Sequence, residues 1–277
     1  MIIIADSGST KTEWLILNGN QKTVLQSIGL NPFFVDTKEI TKIVRNTFKS
    51  IDISKVKKLF FYGAGCSSQE RCNIVAGGLY GVFQNAYIEV HHDMLGAARG
   101  LFRKQQGIAI ILGTGSNSCI YDGENITENI PALGYILGDE GSGAFFGLQL
   151  IKDFLNGEMP KPLYNKFKAR YHMEKDFILE SVYNKPFPNR FLAQFSFFLS
   201  EHITYDYVYN MIYNGFDLFF KRHVIAYPSF RQHAIGNIGS VGYFFNDILL
   251  EVCKKYALNL VVNEQSPIKG LIHYHQK

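Results

Sequence analysis

Short apolar runs recur along the chain, and each is closed by a cluster of small or polar residues. Ile2–Ala5 predicts a strand buried on both faces, Trp14–Leu17 a second, and Lys22–Ile28 a third that closes a meander. Gly29-Leu30-Asn31-Pro32 is a turn, because Asn-Pro favours turn initiation. The period then becomes helical: Asp36–Ser50 carries Ile40, Ile43, Val44, Thr47 and Phe48 at helical spacing. Val56–Tyr62 predicts a strand, Ser67–Phe83 a helix, Ala86–Val90 a strand and Met94–Phe102 a helix. The chain thus opens with three strands and continues with alternating helix and strand.

A similar plan returns further on. Ile108–Leu112 is an apolar run, Gly113–Ser118 a small polar turn, and Cys119–Tyr121 resumes the apolar pattern. Aligning Gly8-Ser9-Thr10 with Gly115-Ser116-Asn117 lays strand on strand and turn on turn, which indicates a duplicated lobe. Gly134–Gly143 leads into a helix over Ala144–Leu155. From Asn156 to Pro228 the pattern is helical and aromatic, broken at Pro160, Pro162, Pro186 and Pro188. The Phe and Tyr residues there fall at helical spacing, which predicts core packing. His233–Asn237 predicts a strand, followed by a helix to Tyr256, a strand over Leu258–Val262 and a short helix from Pro267. The expected fold is α/β in two lobes. Residues 1–103 form the first, with a terminal helix (264–277) packing back on it; residues 104–263 form the second, with a helical insertion.

Candidate chemistry lies between the apolar runs. Asp6-Ser7-Gly8-Ser9-Thr10-Lys11-Thr12 can turn backbone N–H groups, hydroxyls and an ammonium toward one spot, which suits a phosphate, or it can be an ordinary polar hairpin turn. Asp6, at the end of its strand, suits a magnesium ion held through water. Asp93 follows a strand at the carboxyl edge, where ligands collect in open α/β sheets, and is equally placed to cap the next helix. Asp139 and Glu140 open a helix as acids complementing its dipole or as ligand contacts. Gly236 and Gly239 precede a helix, as simple turn glycines or as a nucleotide turn. Hydrophobic residues make up 47% and charged residues 19%, so the chain can bury a large core. The net charge of +4 is compatible with anionic ligands, and no Lys/Arg stripe argues for nucleic acid. Cys66, Cys72, Cys119 and Cys253 have no zinc spacing, which predicts free thiols in a reducing, cytoplasmic setting. Ile2–Ala5 is too short for a signal peptide, and no apolar stretch reaches the length needed to cross a membrane.

Five motifs, in order, resemble the sugar kinase/heat-shock/actin superfamily of ATP-binding folds. They are Asp6–Thr12, Asp93 after its strand, Gly113-Thr114-Gly115-Ser116-Asn117, Gly138-Asp139-Glu140-Gly141-Ser142-Gly143 and Gly236-Asn237-Ile238-Gly239-Ser240-Val241. Within that superfamily the chain is similar to the family that holds N-acetylglucosamine kinases and the ATPase components of benzoyl-CoA reductase-type enzymes. The resemblance implies two actin-like lobes around a nucleotide cleft and the phosphorylation of an amino sugar, most of all N-acetylglucosamine at its primary hydroxyl, with ATP and Mg2+. It also implies a homodimer. Asp6, Ser7, Gly8, Ser9, Thr10 and Lys11, with Gly113, Thr114, Gly115 and Ser116, would hold the phosphates, Thr10 and Thr114 through their side chains. Gly236, Gly239 and Ser240 would underlie the nucleoside. Asp93 would be the general base, Asn31 would contact sugar hydroxyls, and Asp139 would lie near sugar or metal. At the positions of a Gly-Trp pair that N-acetylglucosamine kinases hold against the sugar, this chain has Ala132 and Leu133, so that aromatic platform is missing. The alternative activity is an ATPase driving a partner reductase, which needs cluster-ligating cysteines.

Overall fold

The computed structural model of the protein describes residues Met1–Gln276. Lys277, which the expected terminal helix included, lies outside the described residues. The strands are β1 (Ile2–Ser7), β2 (Lys11–Asn18), β3 (Gln21–Ile28), β4 (Lys58–Gly63), β5 (Tyr87–His92), β6 (Gly107–Leu112), β7 (Ser116–Tyr121), β8 (Ile126–Glu128), β9 (Ile235–Ile238) and β10 (Leu260–Glu264). The helices are α1 (Thr37–Thr47), α2 (Gln69–Tyr80), α3 (Asp93–Phe102), α4 (Gly134–Leu137), α5 (Gly143–Asn156), α6 (Lys161–Tyr171), α7 (Lys175–Tyr183), α8 (Pro188–Ala193), α9 (Ser196–Glu201), α10 (Asp206–His223), α11 (Ser240–Phe244), α12 (Asn246–Lys255) and α13 (Ile268–His275).

The strands form two five-stranded sheets, ordered β3-β2-β1-β4-β5 and β8-β7-β6-β9-β10. The order is the same in both, so the duplication inferred from the two polar turns is present in the topology. In the first sheet β1 pairs antiparallel with β2 and parallel with β4, and β4 pairs parallel with β5. Ser7, Gly63 and His92 are in register across these three parallel strands and mark their common carboxyl edge. The described residues pack as two compact units, one made of 1–106, 121–127 and 266–276, the other of 107–120 and 128–265.

In the first unit β1 is buried on both faces. Ile3 and Ala5 join Trp14, Phe61 and the apolar faces of α1 and α2, while Ile4 joins Leu15, Phe60, Tyr62 and α13 residues Ile268 and Leu271. The alternation follows from the period-two geometry of a strand, and both faces are apolar because helices cover both. Local signals start the helices: Asp36 accepts the N–H of Glu39 (2.8 Å) at the start of α1, a cap worth about 1 kcal/mol. In the second unit one core runs from β6 through α5 to the insertion, where Phe195, Phe198, Phe216, Phe219 and Phe220 are buried. The aromatic stripe is therefore core. The helix expected to run to Tyr256 is broken at Phe245 into α11 and α12, and the short elements β8 and α4 have no counterpart in the sequence pattern. Among the described residues no helix is long and apolar enough to cross a membrane.

Candidate active site

The site residues fall into two groups, one in each unit. In the first unit the β1–β2 turn is closed by the Gly8 N–H to Lys11 O bond (3.0 Å). Asp6 lies in β1, and Lys11 is the first, exposed residue of β2. Burial above all, then the charges of Asp93 and Glu13, push the Asp6 carboxyl up to about 7, against the pull of Lys11. Asp93 is thus near enough to be the second cause of that rise. Two carboxylates at one sheet edge, poorly neutralised, form a place for a hard cation.

Ser7, expected within the phosphate-holding turn, uses its hydroxyl inside the fold. Its hydroxyl is buried, bonded to Thr12 Oγ1 (2.8 Å) and accepting the Leu30 N–H (3.0 Å). It fastens Gly29–Asn31 beside the turn, and Gly29 N–H donates to Thr10 O (3.0 Å). A side chain on Gly29 would run into the Gly8 carbonyl. Asn31 is nearly buried; its Oδ1 accepts the Phe33 N–H (3.0 Å) and its carbonyl the Phe34 and Val35 N–H groups. Gly65 has a left-handed φ of +83°, and a Cβ there would strike the Asn31 carboxamide. The Gly63-Ala64-Gly65 run after β4 carries this signal in the sequence.

Asp93 is not the N-cap of α3. That position belongs to His92, whose Nδ1 accepts the Met94 N–H (3.2 Å) and lies 3.1 Å from Asp93 Oδ1. Asp93 is the first helical residue, and its Oδ1 also accepts the Met94 N–H (2.8 Å). His92, the last residue of β5, therefore takes the capping role that was open to Asp93.

In the second unit the Gly113 N–H closes its turn on Gly115 O (3.0 Å). The first amides of α5 are spent on this turn: Gly143 N–H donates to Gly113 O (2.8 Å) and Ala144 N–H to Thr114 O (3.1 Å). They hold the turn instead of facing a ligand. Ser116 Oγ is buried without a hydrogen-bond partner, and a phosphate oxygen would complete it. Asp139 has a left-handed φ of +55°. Its Oδ1 accepts the Ser116 N–H (3.4 Å), and its carboxylate fills the space where a Gly115 side chain would be. Burial, assisted by Glu140, pushes Asp139 up to about 6 although the Ser116 N–H opposes the shift.

Glu140 is an anchor that sequence reasoning missed. It is buried, bonded to His223 Nε2 (3.1 Å) and paired with Arg222, both at the end of α10. The Asn129–Leu137 segment before it is fastened at its start, where Asn129 Nδ2 donates to Ser118 O (2.5 Å). Ala132 and Leu133 lie in the exposed middle of that segment, Leu133 with its side chain in solvent.

Gly236 falls within the strand expected over His233–Asn237. It lies inside β9, paired with Ala109 and Val262, so the turn is confined to Gly239 and Ser240. Gly239 has φ +126°, and a Cβ there would meet the Leu112 carbonyl. Ser240 opens α11 and, with Val241, Phe244, Phe245, Ala193 and Phe197, lines a pocket of about 210 Å³.

Among the described residues no cluster of three His, Cys, Asp or Glu side chains could hold a metal alone. Asp6 and Asp139 are oxygen donors whose raised affinity for a proton equally marks unmet negative charge, so each fits a magnesium ion that keeps most of its shell as water. Cys66, Cys119 and Cys253 are buried thiols.

With 43% identity and a TM-score of 0.94, the chain is similar to a Porphyromonas gingivalis protein described as a "Putative N-acetylglucosamine Kinase", over 99% of this chain and 98% of that one. A Chromobacterium violaceum protein of the same description matches at 17% identity and TM-score 0.70, covering 99% of this chain and 98% of its own. MreB5 of Spiroplasma citri, solved bound to ADP, matches at 12% identity and TM-score 0.63, over 99% and 96% of the two chains. The last two matches show the fold alone, and that fold is the actin-like one. No protein-family model and no curated protein matches the chain; the wider grouping with reductase-driving ATPases rests on sequence resemblance only.

Proposed function

The chain belongs to the same family as the Porphyromonas gingivalis protein, and on that premise we propose that it is an ATP-dependent sugar kinase whose acceptor is an amino sugar, N-acetylglucosamine before others. The observation that carries the chemistry is the pairing of Asp6 and Asp93 at one sheet edge, close enough for the Asp93 charge to help raise the buried Asp6 carboxyl. Phosphoryl transfer to an alcohol needs a proton acceptor, a compensated phosphate charge and fixed geometry.

Asp93 takes the proton of the sugar's primary hydroxyl. Its Oδ1 is engaged by the Met94 N–H, which holds the carboxylate in one orientation and leaves Oδ2 for the acceptor. Asn31 orients sugar hydroxyls through its amide, whose own oxygen is fixed by Phe33. The Gly8–Lys11 turn, with Ser9, Thr10 and Lys11, and the Gly113–Ser116 turn, with Thr114, bind phosphate oxygens. Asp6, and in the second unit Asp139, would each suit a hydrated magnesium ion, whose charge would offset that of the phosphates. The aromatic pocket beside Ser240 suits a nucleobase, being apolar with a few polar groups at its rim. The loss of an aromatic residue at Leu133 bears on the choice of sugar and leaves phosphoryl transfer intact.

The test is a coupled assay of ADP formation over a panel of amino sugars and hexoses, with MgATP alone as the control. The reading predicts turnover that depends on an amino sugar. Equal hydrolysis with and without every sugar overturns it.

A further inference from the structure

Phe33 is a large apolar side chain left 56% exposed beside a nearly buried asparagine. Three contacts fix it there. Its N–H is held by Asn31 Oδ1 (3.0 Å), so the ring and the carboxamide share one turn. The Arg71 guanidinium lies over the ring, 3.7 Å from its centroid, and is steadied by a bond from Arg71 Nη1 to Ser67 Oγ (3.0 Å). Gly65 abuts both residues: a Cβ at 65 would meet Asn31 Oδ1 and come within 3.1 Å of Phe33 Cδ2. Arg71 has no carboxylate partner among the ion pairs of the described residues, so its pairing with the ring is its main engagement.

This group adjoins the proposed chemistry. Cys66 follows Gly65 in the chain and feels the charge of Asp93, which helps to raise its thiol after the larger effect of burial. The Asn31 amide, the Phe33 ring and the Asp93 carboxylate thus belong to one neighbourhood at the carboxyl edge of β1, β4 and β5. An amide beside an aromatic face is the combination a pyranose requires. The ring covers the sugar's C–H face while the amide meets a hydroxyl, because a sugar is apolar on one side and polar around its rim. A cation on one side of the ring holds its orientation and leaves the rest to a ligand.

We infer that Phe33, held by Arg71, is the stacking platform for the acceptor sugar and stands in for the aromatic residue absent at Leu133. This rests on the sugar-kinase reading and adds to it a residue that determines acceptor affinity.

The experiment compares the full-length wild type with Phe33→Ala, Phe33→Leu and Phe33→Trp. Phe33→Ala is expected to raise KM for N-acetylglucosamine about tenfold, the scale of one lost aromatic contact, with KM for ATP and kcat near wild type. Phe33→Leu keeps apolar bulk without a ring and is expected to follow Phe33→Ala; it decides the matter should the alanine variant not fold. Phe33→Trp is expected to keep activity and to report binding directly. Trp14, the single native tryptophan, is buried, so a response to sugar in the absence of nucleotide that the variant shows and the wild type lacks belongs to the new indole. An unchanged sugar KM in Phe33→Ala or Phe33→Leu, or an indole at 33 indifferent to saturating sugar, overturns the inference while sugar-dependent wild-type turnover upholds the kinase reading. A wild type without any sugar-dependent turnover overturns both.

Discussion

Replacing Asp6 by asparagine separates what this residue does for function from what it costs the fold. The native carboxyl is pushed from 3.8 to about 7, first by burial and then by Asp93 and Glu13. Between those two values the folded protein binds a proton that the unfolded chain has already released, so stability falls as pH rises through this window. Above about pH 7 the penalty is complete, and below about pH 4 it is absent. The rise is roughly three units, and at about 1.4 kcal/mol per unit the penalty at pH 8 is of the order of 4 kcal/mol. Asp6→Asn keeps the shape and discards the charge. In metal-free buffer its stability should equal wild type near pH 4 and exceed it increasingly toward pH 8, by up to about 4 kcal/mol. Urea unfolding at a series of pH values measures the difference. Added MgATP should stabilise wild type and do little for the variant, since the cation's ligand is gone. A variant less stable than wild type at pH 8, or a difference that does not vary with pH, would refute the argument: Asp6 would then be a structural partner, for instance of Lys11, and not a carboxylate kept in unfavourable surroundings for a ligand.

Three further outcomes follow from the geometry. Asp93→Asn should lower turnover by about 10²–10⁴ with little change in melting temperature, since His92 caps α3; near-normal kcat removes Asp93 from the mechanism. Gly239→Ala should destabilise the chain by about 2–4 kcal/mol in urea unfolding, because φ +126° is strained for any side chain and the Cβ meets the Leu112 carbonyl; wild-type stability would mean the turn is not so constrained. Glu140→Ala should cost about 1–3 kcal/mol by leaving the buried His223 ring nitrogen without its partner and should also weaken MgATP binding through the neighbouring Asp139, read by calorimetry of the folded variant; unchanged affinity would confine Glu140 to the core.

Much of this was legible in the residues. The two polar turns, each after an apolar run, were visible because a strand-turn-strand unit is local, and local composition specifies it. The shared sheet order then follows from the repeated pattern. What was not legible has a common cause, which is that a small polar residue can be satisfied from inside the fold. Ser7 has the composition of a ligand contact, yet its hydroxyl bonds to Thr12 and Leu30, residues that only the folded meander brings beside it. The strand expected over His233–Asn237 runs on to Ile238 because β9 pairs with both β6 and β10, which leaves Gly236 in the sheet and Gly239 in the turn. His92 had no cap signature because histidine is not a common N-cap; its ring nitrogen serves only because β5 ends where α3 begins. Glu140 meets Arg222 and His223 across some eighty positions of sequence, a separation no window of local pattern spans. The positive φ of Asp139 likewise arises from tertiary context, though aspartate tolerates it better than most residues.

The most direct measurement is phosphorus NMR of wild type incubated with MgATP and N-acetylglucosamine, beside the Asp93→Asn variant. A phosphomonoester on the sugar's primary hydroxyl, matched by ADP and nearly absent with the variant, is the predicted result. Inorganic phosphate released at the same rate with and without sugar, and no sugar phosphate, would contradict it.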